Sequence, residues 1–444
     1  MINPLTLIPG SAWKHPHPQL QLAWNSARIG FMIFPLIPLI GAVFIFVGLV
    51  KTWQNYGREI NQHRLNWGFA LLAAWLILGS LFGIQPGDAL LGLGNFLPFF
   101  GFFAAYSTLI QSPAQLRQLA WIFTIPAVPI MLLGLLQLSG GGGTWQLPGV
   151  PIYIWEMSVG GNPIGRMSSV FGYANSLAAY LQMVFIFALG LFADSYEKNS
   201  SETSPGGRSP FWKSPTSWWL VSILVICGVS LVLTSSRGAW SAAIFGSLLF
   251  TIYQGWYWIV SIVAAIGTII LSAAYAPSPL KEPLRSIVPR YLWARINDDM
   301  YPNQPEALSR LSQWKFAWNL TQSRPLTGWG LQSFGPLYQK STYIWLGYPH
   351  NLLLMLSSNV GIPATIALFS LVGWILAQST ILFLNFPMQW RSERTIFFTY
   401  LVAFAGFIVF NIADVSALEL RLNTHAWLIL ASICGIVYRS QSTR

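Results

Sequence analysis

The sequence predicts an all-α polytopic membrane protein of about 11 or 12 transmembrane helices, with a long outward-facing loop that contains amphipathic helices. Hydrophobic residues make up 54% of the 444-residue chain and charged residues only 8%. The mean hydropathy of +0.53 is too high for a chain that must stay dissolved as a globule. The apolar residues are also gathered into runs of roughly 20, the length of helix that crosses a bilayer core.

Taken in order, the runs begin near Gly30, Trp67, Leu90, Gln118, Ser168, Ser217, Gly238, Gly255, Ile362, Thr395 and His425. The first carries Pro35 and Pro38, so it reads as one kinked helix or as a hairpin of two short ones, the hairpin being preferred. The runs near Gly238 and His425 are short. The polar segment up to Gln21 reads as an ordered or interfacial tail and not as a removed signal peptide. Orientation follows from lysine and arginine in the short loops. Lys51, Arg58 and Arg64, then Arg117, then Lys198, Arg208 and Lys213, then Arg391 and Arg394, and finally Arg439 and Arg444 fall on one side. That side is expected to be the cytoplasm.

In this phase the Gly-rich segment 140–165, the turn 235–238 and the loop 276–348 face outward. The last is about 70 residues long, well beyond an ordinary connection. Within it Leu308, Leu311, Trp314, Trp318 and Leu320 recur at helical spacing with Arg310, Gln313 and Lys315 between them, the pattern of a helix lying at the headgroup boundary. The segment from Lys198 to Lys213, rich in Ser, Gly and Pro, reads as a flexible loop. No fixed-period repeat is present and no stretch is long enough to fold as a soluble domain. Residues 1–444 therefore read as one transmembrane domain with 276–348 as a large periplasmic loop.

The net charge of +11 is spread over loops and forms no basic module, so anionic membrane lipids, and no nucleic acid, are the expected partners. Cys227 and Cys434 lie inside apolar runs and imply neither a disulfide nor a thiolate metal site. The outward acids are Asp88, Glu156, Glu282, Asp298, Asp299, Glu306, Asp414 and Glu419. Only Asp298 and Asp299 adjoin, too little to expect a metal. No acid stands mid-span, which weighs against ion-coupled transport.

Three side chains need a reason to stand beside hydrocarbon: Arg166, Arg237 and His350. Arg166 precedes Ser168, Ser169, Gly172 and Asn175, small or polar residues opening an apolar run. Its guanidinium fork suits phosphate, although an arginine at a helix end often only snorkels, and alone Arg166 reads that way. Arg237 sits in Ser235-Ser236-Arg237-Gly238 between two closely spaced runs, so hydroxyls, a cation and backbone amides meet at one hairpin tip. His350, between Pro349 and Asn351, is a group able to accept a proton near neutral pH. His425 has a weaker claim. All three fall on one face in an orientation chosen from other residues.

At these positions the chain resembles the O-antigen ligase and O-antigen polymerase family, bacterial membrane proteins that handle polyprenyl-linked glycans. The matching pieces are RMSSVFGYAN from Arg166 to Asn175 with Leu177 and Ala178, and LTSSRG from Leu233 to Gly238. Further on come Arg310 to Trp314, PLTGWG from Pro325 to Gly330 with Phe334, and Pro349, His350 and Asn351 followed by Gly361. The resemblance spans residues 165–373. It implies a metal-independent and cofactor-free membrane glycosyltransferase of the GT-C type, in the bacterial inner membrane with its site facing the periplasm. The donor would be a polyprenyl-pyrophosphate-linked glycan and the acceptor a lipid, glycan or protein.

By position, Arg166 and Arg237 would bind the pyrophosphate and His350 would orient or deprotonate the acceptor hydroxyl. Asn175, Ser236, Arg310, Gly328, Gly330 and Asn351 would contact substrate. Direct displacement with inversion would follow, since no carboxylate is evidently placed as a nucleophile. The alternative from another class is an inorganic-anion (bicarbonate) transporter, a label that some similar photosynthetic-bacterial sequences carry. A lateral groove ending at the three residues would favour the transferase, and an inverted repeat would favour transport.

Overall fold

Prolines and caps set where the apolar runs become helices. In the computed structural model, which describes residues 14–146, 153–201, 214–297, 299 and 305–442, the chain opens with α1 (Gln21–Ile33), α2 (Pro38–Gln62) and α3 (Arg64–Leu81). It continues through α4 (Pro86–Gly92), α5 (Leu97–Leu109), α6 (Pro113–Thr124), α7 (Ala127–Leu138) and the hairpin β1 (Gly143–Gln146) and β2 (Tyr153–Met157). Next come α8 (Ala174–Ser201), α9 (Pro215–Leu233), α10 (Arg237–Tyr253), α11 (Tyr257–Tyr275), α12 (Lys281–Ile287) and α13 (Arg290–Ile296). The last are α14 (Arg310–Ser323), α15 (Phe334–Thr342), α16 (Leu352–Leu384), α17 (Arg394–Asn411) and α18 (Leu420–Ser442). Proline stands in the first turn of α2, α4, α5, α6 and α9, where its missing N–H costs nothing. Ser112 and Gln115 close a capping box on α6.

Among the described residues, nine helical stretches are long and apolar enough to cross a membrane. The chain is therefore an all-α, multi-pass membrane protein, and its described β-structure is one two-stranded hairpin. The predicted count of 11 or 12 is reached only by adding helices from α1, α10 and α11, which fall outside those nine. Arg208, Lys213, Asp298, Arg444 and the first 13 residues of the tail lie outside the described residues.

Burial separates centre from periphery. The membrane-crossing windows of α8 and α18 are 78% and 83% buried, against 22% in α2 and in α3. On α3 the exposed side chains Trp67, Leu71, Trp75 and Leu78 recur at helical spacing, the face of a helix that meets lipid. Around α8 pack α6, α9, α10 and α17.

The first run breaks between Ile33 and Pro38, and α1 packs along α2 as a hairpin, as Pro35 and Pro38 allow. Two expectations about helices change. The run expected from Ser168 begins only at Ala174. Buried Gln137 takes up the backbone N–H groups of Ser168 and Ser169, so residues 166–173 form a hook with one 3-10 turn at Ser169–Phe171 instead of the start of the α-helix. Helix α14 forms, but it turns Gln313, Ala317, Leu320 and Thr321 inward and leaves Leu311 and Trp318 exposed. Small and polar side chains allow close approach to α16, where the Thr321 and Ser357 hydroxyls meet at 3.0 Å.

Helix α16 breaks at Gly361, whose φ of +81° is non-helical, and carries Pro363. Backbone groups freed at such a break need partners where water is scarce. The strap 325–330 supplies them: Ile362 N–H donates to Pro325, while Trp329 and Gly330 N–H donate to Ser358 and Asn359. On the membrane face opposite Ala174, Arg117 of α6 holds Asp194 of α8 with two hydrogen bonds of 3.0 and 2.8 Å and reaches Glu393 before α17 at 2.8 Å. Expected as a loop charge, Arg117 is instead a buried tie between three helices.

Candidate active site

Arg166 is placed by its hook. The chain leading into it turns tightly at Gly161, where a side chain would meet the Arg166 carbonyl at 2.0 Å and φ is +94°. Met167 N–H then donates to Leu233 at the end of α9, which brings the hook against the hairpin tip of α9 and α10. The half-buried guanidinium spans two elements. Its Nε donates to the Thr234 carbonyl at 2.8 Å and one terminal nitrogen to Asn175 Oδ1 at 2.6 Å.

From Asn175, in the first turn of α8, the contacts continue. Its Nδ2 donates to Asp414 Oδ2 at 2.8 Å. Asp414, between α17 and α18, also accepts from the Val415 N–H and the Ser416 hydroxyl, both at 2.8 Å. His350 Nδ1 stands 3.6 Å from Asp414 Oδ2, in ion-pair range but short of a hydrogen bond. Burial works to raise the Asp414 carboxyl, but His350, Ser416 and the Val415 N–H together outweigh it and hold the group below the ordinary carboxylate range. Arg166, Asn175, Asp414 and His350 thus form one continuous polar chain.

His350 has a φ of +49°, costly for a residue with a side chain. Its sequence neighbours hold it there. Asn351 Oδ1 caps α16 by accepting from Leu354 N–H, and its Nδ2 donates to the Ile412 carbonyl. The ring of Tyr348 meets that of His350 edge-on at 5.0 Å. Burial first, and then the charge of Asp414, raises the Tyr348 phenol above its usual value, so it stays neutral.

Arg237 begins α10 directly after Ser236, the N-cap residue. It donates to the Ile296 carbonyl of α13 at 3.3 Å, while Ser235, at φ +53°, bonds the Tyr291 hydroxyl. Because Thr234 in the same tip accepts from Arg166, the two guanidiniums flank one hairpin end. Arg310 stands in the first turn of α14. Gly328 and Gly330, expected as substrate contacts, belong to the strap, where an added Cβ on Gly328 would meet the Asn359 carbonyl carbon at 2.4 Å. Asp414 is among the outward acids in the sequence but has no sign there of its partner.

Beside Asn351 lies a groove of about 440 Å³ between α16, α17 and α18. Its polar end carries Asn95, Asn351, Asn411 and Asn423, and its walls are apolar, including Leu356, Phe407 and Trp427. Leu353 and Phe369, exposed on the outside of α16, form part of its rim.

Residues 222–369 match the family model described as O-antigen ligase. The chain carries an O-antigen ligase domain. No curated protein matches it. The O-antigen ligase segment holds the α9–α10 tip, Arg237, Arg310, the strap and His350, whereas Arg166, Asn175 and Asp414 come from outside it and complete the polar chain. Two guanidiniums, an imidazole and a carboxylate at one membrane face can bind an anionic group and accept a proton beside it, which accords with a membrane glycosyltransferase-like role for this O-antigen ligase domain.

Proposed function

We propose that the protein transfers a glycan from a polyprenyl-pyrophosphate donor to an acceptor hydroxyl, without a metal and with inversion, at the periplasmic side of the bacterial inner membrane. The observation that carries this is the chain from Arg166 through Asn175 and Asp414 to His350, with Arg237 at the tip that Arg166 grips. Arg166 and Arg237 bind the pyrophosphate. The acceptor oxygen attacks the anomeric carbon from the opposite side, forming the new glycosidic bond as the bond to the phosphate oxygen breaks. Polyprenyl pyrophosphate leaves with its electron pair, and its developing charge is held by the two fixed cations. His350 takes the hydroxyl proton, and Asp414 steadies the resulting imidazolium. The apolar groove beside Asn351 suits the hydrocarbon part of a lipid-linked substrate. No observation on this molecule favours the anion-transport alternative.

The test is donor consumption by purified protein in lipid, supplied with polyprenyl-pyrophosphate oligosaccharide and mixed lipid and glycan acceptors. Arg166→Ala, Arg237→Ala and His350→Ala are expected to abolish transfer while still inserting. Retained transfer in any folded variant would remove that residue from its role. Anion flux without donor consumption would replace the whole reading.

A further inference from the structure

The outward Gly-rich segment has no part in the proposed transfer, yet it is tied to the site. In the β1–β2 hairpin, Trp145 pairs directly across from Trp155, with ring centroids 5.9 Å apart. Trp145 is 49% exposed, and neither indole N–H has a hydrogen-bond partner among the described residues. The opposite face of the same pairing carries Thr144 and Glu156.

One side chain links this hairpin to the site. Gln137 donates to the Ser158 carbonyl just past β2 and to the Ser168 hydroxyl, and it accepts from the N–H groups of Ser168 and Ser169. Its backbone carbonyl also accepts from Gly160 N–H. β2 packs against the turn Ser169–Phe171. The tryptophan pair therefore sits in a fixed relation to Arg166, three residues before Ser169.

We infer that Trp145 and Trp155 form a platform on which the sugar rings of the glycan stack, next to the diphosphate held by Arg166. The exposed Trp145 indole offers a flat apolar face and an N–H donor together, matching a pyranose with its C–H face and peripheral hydroxyls, and Trp155, half-buried against the core, fixes the pair in place. The other use of surface tryptophan is anchoring in a lipid interface. Such segments gain strength from lysine and arginine, whereas residues 138–165 contain neither and include Glu156. This inference rests on the transferase reading for the class of ligand.

The experiment uses the full-length protein in lipid nanodiscs. Its probe is the oligosaccharide pool released by mild acid from the polyprenyl-linked fraction of cells that make this protein, observed by saturation-transfer NMR. Wild type and Trp145→Phe are expected to transfer saturation to the sugar C–H protons, Trp145→Ala and Trp155→Ala to lose it, and Thr144→Ala, on the other face, to behave as wild type. In the transfer assay Trp145→Ala should raise the donor KM about tenfold. Glycan binding by wild type without donor consumption would sink the transferase and leave the platform standing. An absence of glycan binding in wild type, or unchanged binding and KM in Trp145→Ala, would overturn the platform. Altered vesicle partitioning with unchanged glycan binding would assign the pair to the lipid interface and overturn it too.

Discussion

Asp414→Asn probes the link between the two halves of the site while preserving side-chain shape. The Asn amide oxygen can still accept from Val415 N–H and Ser416, as Asp414 Oδ1 does at 2.8 Å. Its nitrogen, however, would face Asn175 Nδ2, which now donates to Asp414 at 2.8 Å. If Asn175 turns to relieve that clash, it presents N–H groups to Arg166 in place of the oxygen that accepts at 2.6 Å. The swap also removes the charge 3.6 Å from the His350 imidazole. Coulomb's law at an effective dielectric of 20 gives about 4.6 kcal/mol as a ceiling at that distance. Allowing about half for screening leaves roughly 2–3 kcal/mol, or about 30- to 150-fold in kcat. Donor turnover by purified protein in lipid measures it, normalised to folded protein. The pH dependence of stability checks the electrostatics separately. Because the native carboxyl lies below its ordinary range, its contribution is complete above about pH 4 and is lost as pH falls through the lower native value. The acid-side fall in Tm should therefore be shallower in the variant. Turnover within about twofold of wild type at unchanged Tm would refute the coupling.

Arg166→Lys keeps the charge but cannot reach both the Thr234 carbonyl and Asn175, so kcat/KM should fall about 30-fold or more; a loss under threefold in the same assay would argue that charge alone suffices. Arg117→Ala leaves Asp194 with only the more exposed Lys198 as a charge partner and takes the guanidinium from Glu393, and should destabilise by about 2–3 kcal/mol, read as a lowered unfolding temperature in detergent with the donor KM unchanged. Gly328→Ala forces a side chain into the Asn359 backbone at a φ of +67° and should cost about 1–3 kcal/mol. An unchanged Tm there would show that the strap does not hold the break in α16.

What the sequence made legible, and what it did not, divides along one physical line. Helix positions follow from local facts: apolar runs of bilayer length, and prolines such as Pro38, Pro113 and Pro215 that stand in the first turn of a helix. Arg166, Arg237 and His350 stood out for the same reason, since a polar charge beside an apolar run needs no partner to be conspicuous. Partners are another matter. Asp414 is an ordinary acid between two spans until folding sets it against Asn175 and His350, and Arg117 reads as a loop charge until α8 brings up Asp194. Gly328 and Gly330 resemble ligand-binding glycines because close backbone approach has one sequence signature whether the approaching group is a phosphate or another strand of the same chain. Here Gly328 meets the broken turn of α16, whose backbone groups need partners in hydrocarbon, and Gly330 meets Gly83 just past α3. A polar group near hydrocarbon can thus be found from sequence, but what it meets is decided by helix packing: Arg117 is taken up by the carboxylates Asp194 and Glu393, whereas Arg166 donates to the neutral oxygens of Thr234 and Asn175.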